Sequence, residues 1–443
     1  MPFPLCSALC ILYEQGAAAD LKRAAQGGFL RALTRRTALF AAGTGLLPLA
    51  SRARAAATVV GPEVRGLKLG YIALTDAAPL IVAQELGYFA RHGMPTVELI
   101  EQSSWDGTRE NLALGAGNGG LDGAHILTPM AYLLHMGRGA VNNIAVPMAV
   151  VLRLNTNGQA ISVANAIEGA TVDCKPLKSV FAAKPGNRVA MTFRGGTHDL
   201  WLRYWLAAGG IDPERDVKTI VVAPPQMVAN MKVGTMDAFC AGEPWNDQLV
   251  HQKFGYTACI TGEIWRDHPE KSLALRADWV VKNPRAAQAL TAAVIQAQMW
   301  ADQPANKPQL ATMLGRRAWF NVPPSDILPR SLGDIDYGDG RTATGSPVRM
   351  KFWADHASYP FQSHDLWFLT ENQRWGLLPR GLDTAALVKA VNREDIWRAA
   401  ASSIGAAAPK STSRGVQAFF DGVTFDSADP DGYLAKLQIR KVS

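Results

Sequence analysis

From Leu67 to Gly242 the chain alternates short apolar runs with longer stretches whose apolar positions recur three and four residues apart. The short runs predict strands at 67–74, 96–101, 123–127, 144–152, 160–164, 187–193, 217–223 and 236–242. The stretches between them predict helices at 77–86, 107–115, 128–136, 198–208 and 225–233, and a later one, the longest, at 284–301. Strand and helix in alternation specify parallel sheets covered by helices. Ligands of such folds sit beyond the carboxyl ends of the strands, at helix N-termini. The C-terminal third is less regular, with a Gly-rich, charged loop near 333–346. Past residue 57 no uninterrupted apolar segment approaches the ~18 residues of a membrane span.

Length and charge sharpen this picture. A chain of 443 residues can bury two α/β cores. The formal charge of +7 suggests a polyanion partner until its distribution is read. Residues 1–57 carry Lys22, Arg23, Arg31, Arg35, Arg36, Arg52 and Arg54 against Glu14 and Asp20, which leaves 38 basic and 36 acidic side chains elsewhere, a net of +2. A nearly neutral body excludes a general nucleic-acid surface. Within the leader, "LTRRTALFAAGTGLLPLASRARAAA" (33–57) joins a basic pair, Arg35-Arg36, to an uncharged segment from Ala38 to Ala50 and a small-residue cleavage region. That order predicts a twin-arginine-type export signal over an N-terminal extension, 1–57, and hence a periplasmic protein. Beyond the leader stand Cys174, Cys240 and Cys259, whose spacing fits no zinc pattern and predicts buried free thiols.

Candidate chemistry is sparse. "GAGNGG" (115–120) matches a dinucleotide-binding string but follows a helix and precedes a strand, the reverse of the order that mechanism needs, so it reads as a turn. The eight histidines form no metal-ligand spacing, and His356 and His364 read as solvated surface. Nothing places a nucleophile beside a base, so no catalytic residue, metal or cofactor is expected. Two strand-to-helix junctions stand out. In "RGGTHDLWLRYWLAAGG" (194–210) a Gly turn runs into a helix whose Leu200, Trp201, Tyr204, Trp205 and Ala208 share a face. Thr197 is the expected N-cap, His198 a directed donor, and the glycines open the backbone to an anion. A capping turn with a surface histidine is the plain alternative. In "AFCAGEPWNDQLV" (238–250) Gly242 ends a strand and Pro244 opens a helix, with Glu243 favourable to its dipole.

With these junctions, "GYIALTDAAPLIVAQELGYF", "SSWDGTREN", "GLDGAHIL", "NGQAISVAN" and "HPEKSLALRADW" make the chain, from about Leu67 to about Pro379, resemble the nitrate- and bicarbonate-binding proteins of ABC importers, within the wider nitrate/sulfonate/taurine-binding group. The resemblance implies an α/β fold of the periplasmic-binding-protein type II, two lobes hinged around an interlobe cleft. It also implies that Trp105, Gln159, His198, Gly242 and Lys271 line the pocket. The expected division is 58–165 for the first part of lobe 1, 166–274 for lobe 2, and 275–443 for the return to lobe 1 with a C-terminal extension. Nitrate has three acceptor oxygens and no donor, and each of the five residues can donate. Bicarbonate also donates, and its binders in the family carry an acidic residue in place of the lysine, with calcium assisting. Here Lys271 aligns with that position, and a slip of one residue would put Glu270 there. The implied protein is a monomeric receptor that delivers nitrate or nitrite to an ABC permease of the inner membrane. Within the resemblance, a calcium-assisted bicarbonate receptor, a sulfonate or taurine receptor, and a nitrate sensor that sequesters a regulatory protein remain open. Pyrimidine-forming enzymes of thiamin synthesis share the fold, but no cluster of catalytic cysteine and histidine supports one.

Overall fold

The computed structural model describes residues 61–139, 143–183 and 186–441. The leader, 1–57, in which an export signal is expected, lies outside them. Ten strands carry the fold: β1 (Lys68–Tyr71), β2 (Glu98–Glu101), β3 (Gly123–Leu127), β4 (Met148–Arg153), β5 (Gln159–Ala164), β6 (Arg188–Met191), β7 (Lys218–Val221), β8 (Ala238–Gly242), β9 (Gly255–Ile260) and β10 (Lys271–Arg276). They form two five-stranded sheets of matching design, ordered β2-β1-β3-β10-β4 and β7-β6-β8-β5-β9. In each sheet three strands are parallel, and the remaining two pairings are antiparallel. Strands β3, β4, β8 and β9 are buried along their whole length, as expected of sheets covered on both faces.

The antiparallel strand inserted into each sheet is the one that follows a crossover. The chain leaves the first sheet at 154–158 and returns at 261–270, so β5 pairs wholly within the second sheet and β10 wholly within the first. Both crossings precede the expected boundaries at 165/166 and 274/275, because a strand belongs to the sheet whose hydrogen bonds it completes. Gln159 and Lys271 are thereby the first residues of the two inserted strands. Strands β9 and β10 escape the hydrophobic pattern. "KSLALR" has little intrinsic strand preference, and its extended form comes from partners on both sides.

The C-terminal third does more than return to lobe 1. Helix Pro284–Ala301 packs on Ala78–Glu85 and Glu394–Ser403 in the first lobe. Helix Gln362–Arg374, however, packs against both Thr128–His135 of the first lobe and Thr197–Ala208 of the second. Its Trp367 and Phe368 enter the second lobe's core with Phe419, Phe425 and Tyr433. Trp367 stacks on Trp201 at 4.8 Å between ring centroids, 15° from parallel. Among the described residues no helix is long and apolar enough to cross a membrane.

Candidate functional site

The carboxyl ends of the parallel strands and the starts of the inserted strands converge between the two sheets. Asp76 lies in the turn after β1, His125 on β3, Gln159 at the start of β5, His198 in the first turn of helix Thr197–Ala208, Gly242 at the end of β8, and Lys271 at the start of β10. Trp105 opens helix Trp105–Leu114, fixed there by Ser104, whose hydroxyl accepts from the Gly107 N–H at 3.1 Å. The structure brings all five sequence-predicted residues to this one place, and the four with side chains are fully buried.

The junction at His198 is built differently from expectation. Gly196, with extended backbone, is the N-cap, and Thr197 is the first helical residue. Thr197 instead turns its hydroxyl to Glu270 Oε2 at 3.0 Å, and the Gly195 N–H donates to Asp199 Oδ2 at 2.8 Å. A Cβ on Gly195, at φ +77°, would lie 2.7 Å from Asn372 Oδ1, and one on Gly196 would lie 2.6 Å from Leu127 Cδ1. The two glycines therefore admit neighbouring protein atoms against the helix mouth. They do not hold open bare backbone for an anion.

One hydrogen-bonded cluster links the two lobes. Lys271 Nζ lies 2.7 Å from Glu270 Oε2, 3.0 Å from Asp76 Oδ2, 3.3 Å from His198 Nε2 and 3.4 Å from Gln159 Oε1. It also stands 5.9 Å over the Trp105 ring. Asp76 accepts at Oδ1 from His125 Nε2 (2.6 Å) and at Oδ2 from Gln159 Nε2 (3.0 Å). A carboxylate can only accept, so this contact fixes the Gln159 amide with its nitrogen toward Asp76 and its oxygen toward His198 Nε2 (2.7 Å). The opposite ring nitrogen of His198 meets the Thr192 hydroxyl. A Cβ on Gly242 would reach within 2.7 Å of Gln159 Oε1, so the missing side chain makes room for this amide. Trp105 Nε1 is buried with no hydrogen-bond partner, as is Thr75 Oγ1. A small cleft lined by Thr75, Gly158, Gln159, Arg330, Arg349 and Met350 abuts the cluster.

Electrostatics follow from this burial. Burial opposes the Asp76 charge, but Lys271 and His125 outweigh it and hold the carboxyl well below its ordinary range. Burial opposes the Lys271 charge too, and Asp76 and Glu270 together raise the ammonium above its usual value. Glu270 is pushed up by burial, against the pull of Lys271 and of the Trp201 N–H donated to its Oε1 at 2.6 Å. His198 falls well below its ordinary value through burial and the nearby Lys271, and burial lowers His125 as well.

Sequence reasoning left out Asp76 and His125, and weighed Glu270 only as a substitute for Lys271. A histidine inside the otherwise apolar "GAHIL" is a readable clue, as is an aspartate at the strand-to-helix turn "LTDAAP". His364 corrects another expectation. It is 2% exposed, packed on Trp265 and Phe361, because helix Gln362–Arg374 is buried between lobes. The three cysteines are buried and free, and "GAGNGG" is a turn with positive φ at Gly115 and Gly119.

Residues 60–315 match the model of the NMT1-like family. The nitrate/nitrite binding protein NrtA of Synechocystis sp. is 53% identical over 387 residues, 86% of this chain and 86% of that one. The bicarbonate-binding protein CmpA of Synechococcus elongatus is 39% identical over 398 residues, 86% of this chain and 88% of that one. The crystal structure of the periplasmic nitrate-binding protein NrtA from Synechocystis PCC 6803 superposes with a TM-score of 0.84, covering 86% of this chain and 100% of that one.

Proposed function

The chain belongs to the NMT1-like family and, with these identities, to the family of nitrate/nitrite-binding proteins, and on that premise we propose that it is the periplasmic receptor of an ABC importer, capturing nitrate or nitrite between its lobes and delivering it to a membrane permease. No reaction is catalysed. The pocket is Trp105, Gln159, His198, Gly242 and Lys271, with Lys271 supplying the charge. The observation that carries this reading is the indole N–H of Trp105, a buried donor without a partner beside the ammonium of Lys271. A buried donor left unmade costs ~1–3 kcal/mol, which an entering anion with three acceptor oxygens recovers. Lobe opening about 154–158 and 261–270 admits the anion, and closure returns the cluster to its buried state.

Bicarbonate would need a free acceptor for its hydroxyl. Glu270 already accepts from Trp201, Thr197 and Lys271, and Asp76 from His125, Gln159 and Lys271. Each carboxylate keeps one lone pair, on Glu270 Oε1 and Asp76 Oδ1, so preference for nitrate over bicarbonate is supported by the lysine at 271 and by the higher identity to the nitrate/nitrite binder. Calorimetric titration of the purified protein should show saturable heat with nitrate and nitrite, and none with taurine or with bicarbonate plus calcium. Heat with bicarbonate and calcium alone would overturn the assignment.

The leader, 33–57, directs export by the twin-arginine route. Replacing Arg35 and Arg36 together by lysine should retain the uncleaved protein in the cytoplasmic fraction of the cell. Periplasmic recovery of that variant would remove the route, and cytoplasmic residence of the unaltered protein would favour a sensor over a receptor.

A further inference from the structure

Consider the charges in the cluster before any anion arrives. The titratable groups facing one another there are Asp76 from the turn after β1, His125 from β3, His198 from its helix, His268 and Glu270 from the returning crossover, and Lys271 from β10. All but His268 are joined by the hydrogen bonds described above, and His268 packs on the Trp201 ring at 4.3 Å. All six are buried from solvent. The Cys240 thiol of β8 faces the same groups and is kept neutral by burial. Behind them Arg153 and Asp365 pair at 2.6 Å and cancel. One ammonium thus stands against two carboxylates, and the histidines are neutral. An anion entering this enclosure adds negative charge where water cannot screen it, and an uncompensated buried charge is strongly unfavourable.

We propose that Asp76, braced by His125, is a positioning residue of the anion site and that its fixed negative charge obliges the site to take up a proton from solvent with each anion. This rests on the receptor reading given above. Asp76 positions through two contacts on one oxygen. It draws the Lys271 ammonium to 3.0 Å and turns the Gln159 amide so that its oxygen meets His198. His198 is built to receive the proton. Its two ring nitrogens face Thr192 Oγ1 and Gln159 Oε1, both able to accept, so the imidazolium form finds a partner on each side. An anion alongside supplies the opposite charge that stabilises that form. Burial and Lys271 keep His198 neutral until then.

The test is calorimetric titration of the purified protein with sodium nitrate at pH 7.5 in buffers of different ionisation enthalpy. The observed heat should vary linearly with that enthalpy, with a slope of about 0.5–1 proton taken up per nitrate, and Kd should weaken by up to about tenfold per pH unit on the alkaline side. Asp76→Asn removes the fixed charge, so its slope should fall toward zero and its Kd should lose most of its pH dependence. A merely structural role for Asp76 would change affinity and leave the proton count intact. Nitrate binding by the unaltered protein with no buffer dependence overturns the inference, whether or not Asp76→Asn folds. Absence of nitrate heat at every pH overturns instead the receptor reading on which it rests.

Discussion

Trp105 places an indole N–H in a fully buried position with nothing to donate to. Elsewhere in the cluster almost every donor is used: Lys271 by Glu270, Asp76 and Gln159, Gln159 by Asp76, and His125 by Asp76. The unpaired donor separates binding from folding. Trp105→Phe keeps an aromatic ring to pack on His125, whose ring lies 5.3 Å away, and removes the N–H together with the second ring, which leaves a small cavity. Loss of one hydrogen bond to a charged ligand should weaken nitrate binding about ten- to a hundredfold, while thermal stability without anion falls only slightly, since removal of a stranded donor offsets part of the cavity's cost. Titration calorimetry and a melting curve on one preparation check both halves. At this scale the sequence was generous with residue types and silent on pairing. Lys271 and Glu270 looked like alternatives for one position, yet both side chains enter the cluster, Glu270 toward Trp201 and Thr197 and Lys271 toward Asp76.

Junctions between strands and helices do the positioning at the next scale. Gln159 pairs with Gly242 across β5 and β8, so the amide lies over a residue without a side chain. Gly242→Ala would set a methyl 2.7 Å from Gln159 Oε1 and 3.1 Å from Leu74 Cδ2. The amide cannot retreat without releasing Asp76 or His198. The expected result is a fall in stability of about 1–3 kcal/mol by urea denaturation, the range for overpacking, together with weakened nitrate binding. Strand-to-helix junctions were legible because glycine, proline and apolar period mark them in sequence. Strands β9 and β10 were not, since β9 pairs with β5 at a sheet edge and β10 lies between β3 and β4, partners far away in the chain.

For the whole molecule, burial of histidine between the lobes couples stability to pH. His125, His198, His268 and His364 are buried and held below their ordinary pKa by burial, so the unfolded chain binds protons that the fold refuses. Stability is therefore fully present above the unfolded value, about 6.5, and is lost as pH falls below it. His251, half-exposed and raised by Asp326, runs the other way, as do the carboxyls of Glu243, Asp247, Glu263 and Glu270, pushed up by burial, and together they offset part of the trend. Urea midpoints measured between pH 8 and pH 5 should hold nearly flat down to about 7 and then drop. A midpoint that rises toward pH 5 would mean that the raised carboxyls outweigh the buried rings and would overturn this prediction. Asp76, kept well below the carboxylate range by Lys271 and His125, adds a further loss only at still lower pH.

Alternating patterns, junction glycines and a near-neutral body determined, from sequence alone, an α/β chain with two helix-mouth sites and a basic leader. Those features depend on neighbours within a few residues, which is the reach of hydrophobic period and turn chemistry. Tertiary structure alone decided that the crossovers fall at 154–158 and 261–270, that the C-terminal third braces both lobes, and that Asp76 and His125 share the cluster with Lys271. A buried charge is defined by the partner that compensates it. Asp76 and Lys271 become partners only because the chain crosses between sheets twice, bringing the start of β10 beside the turn after β1.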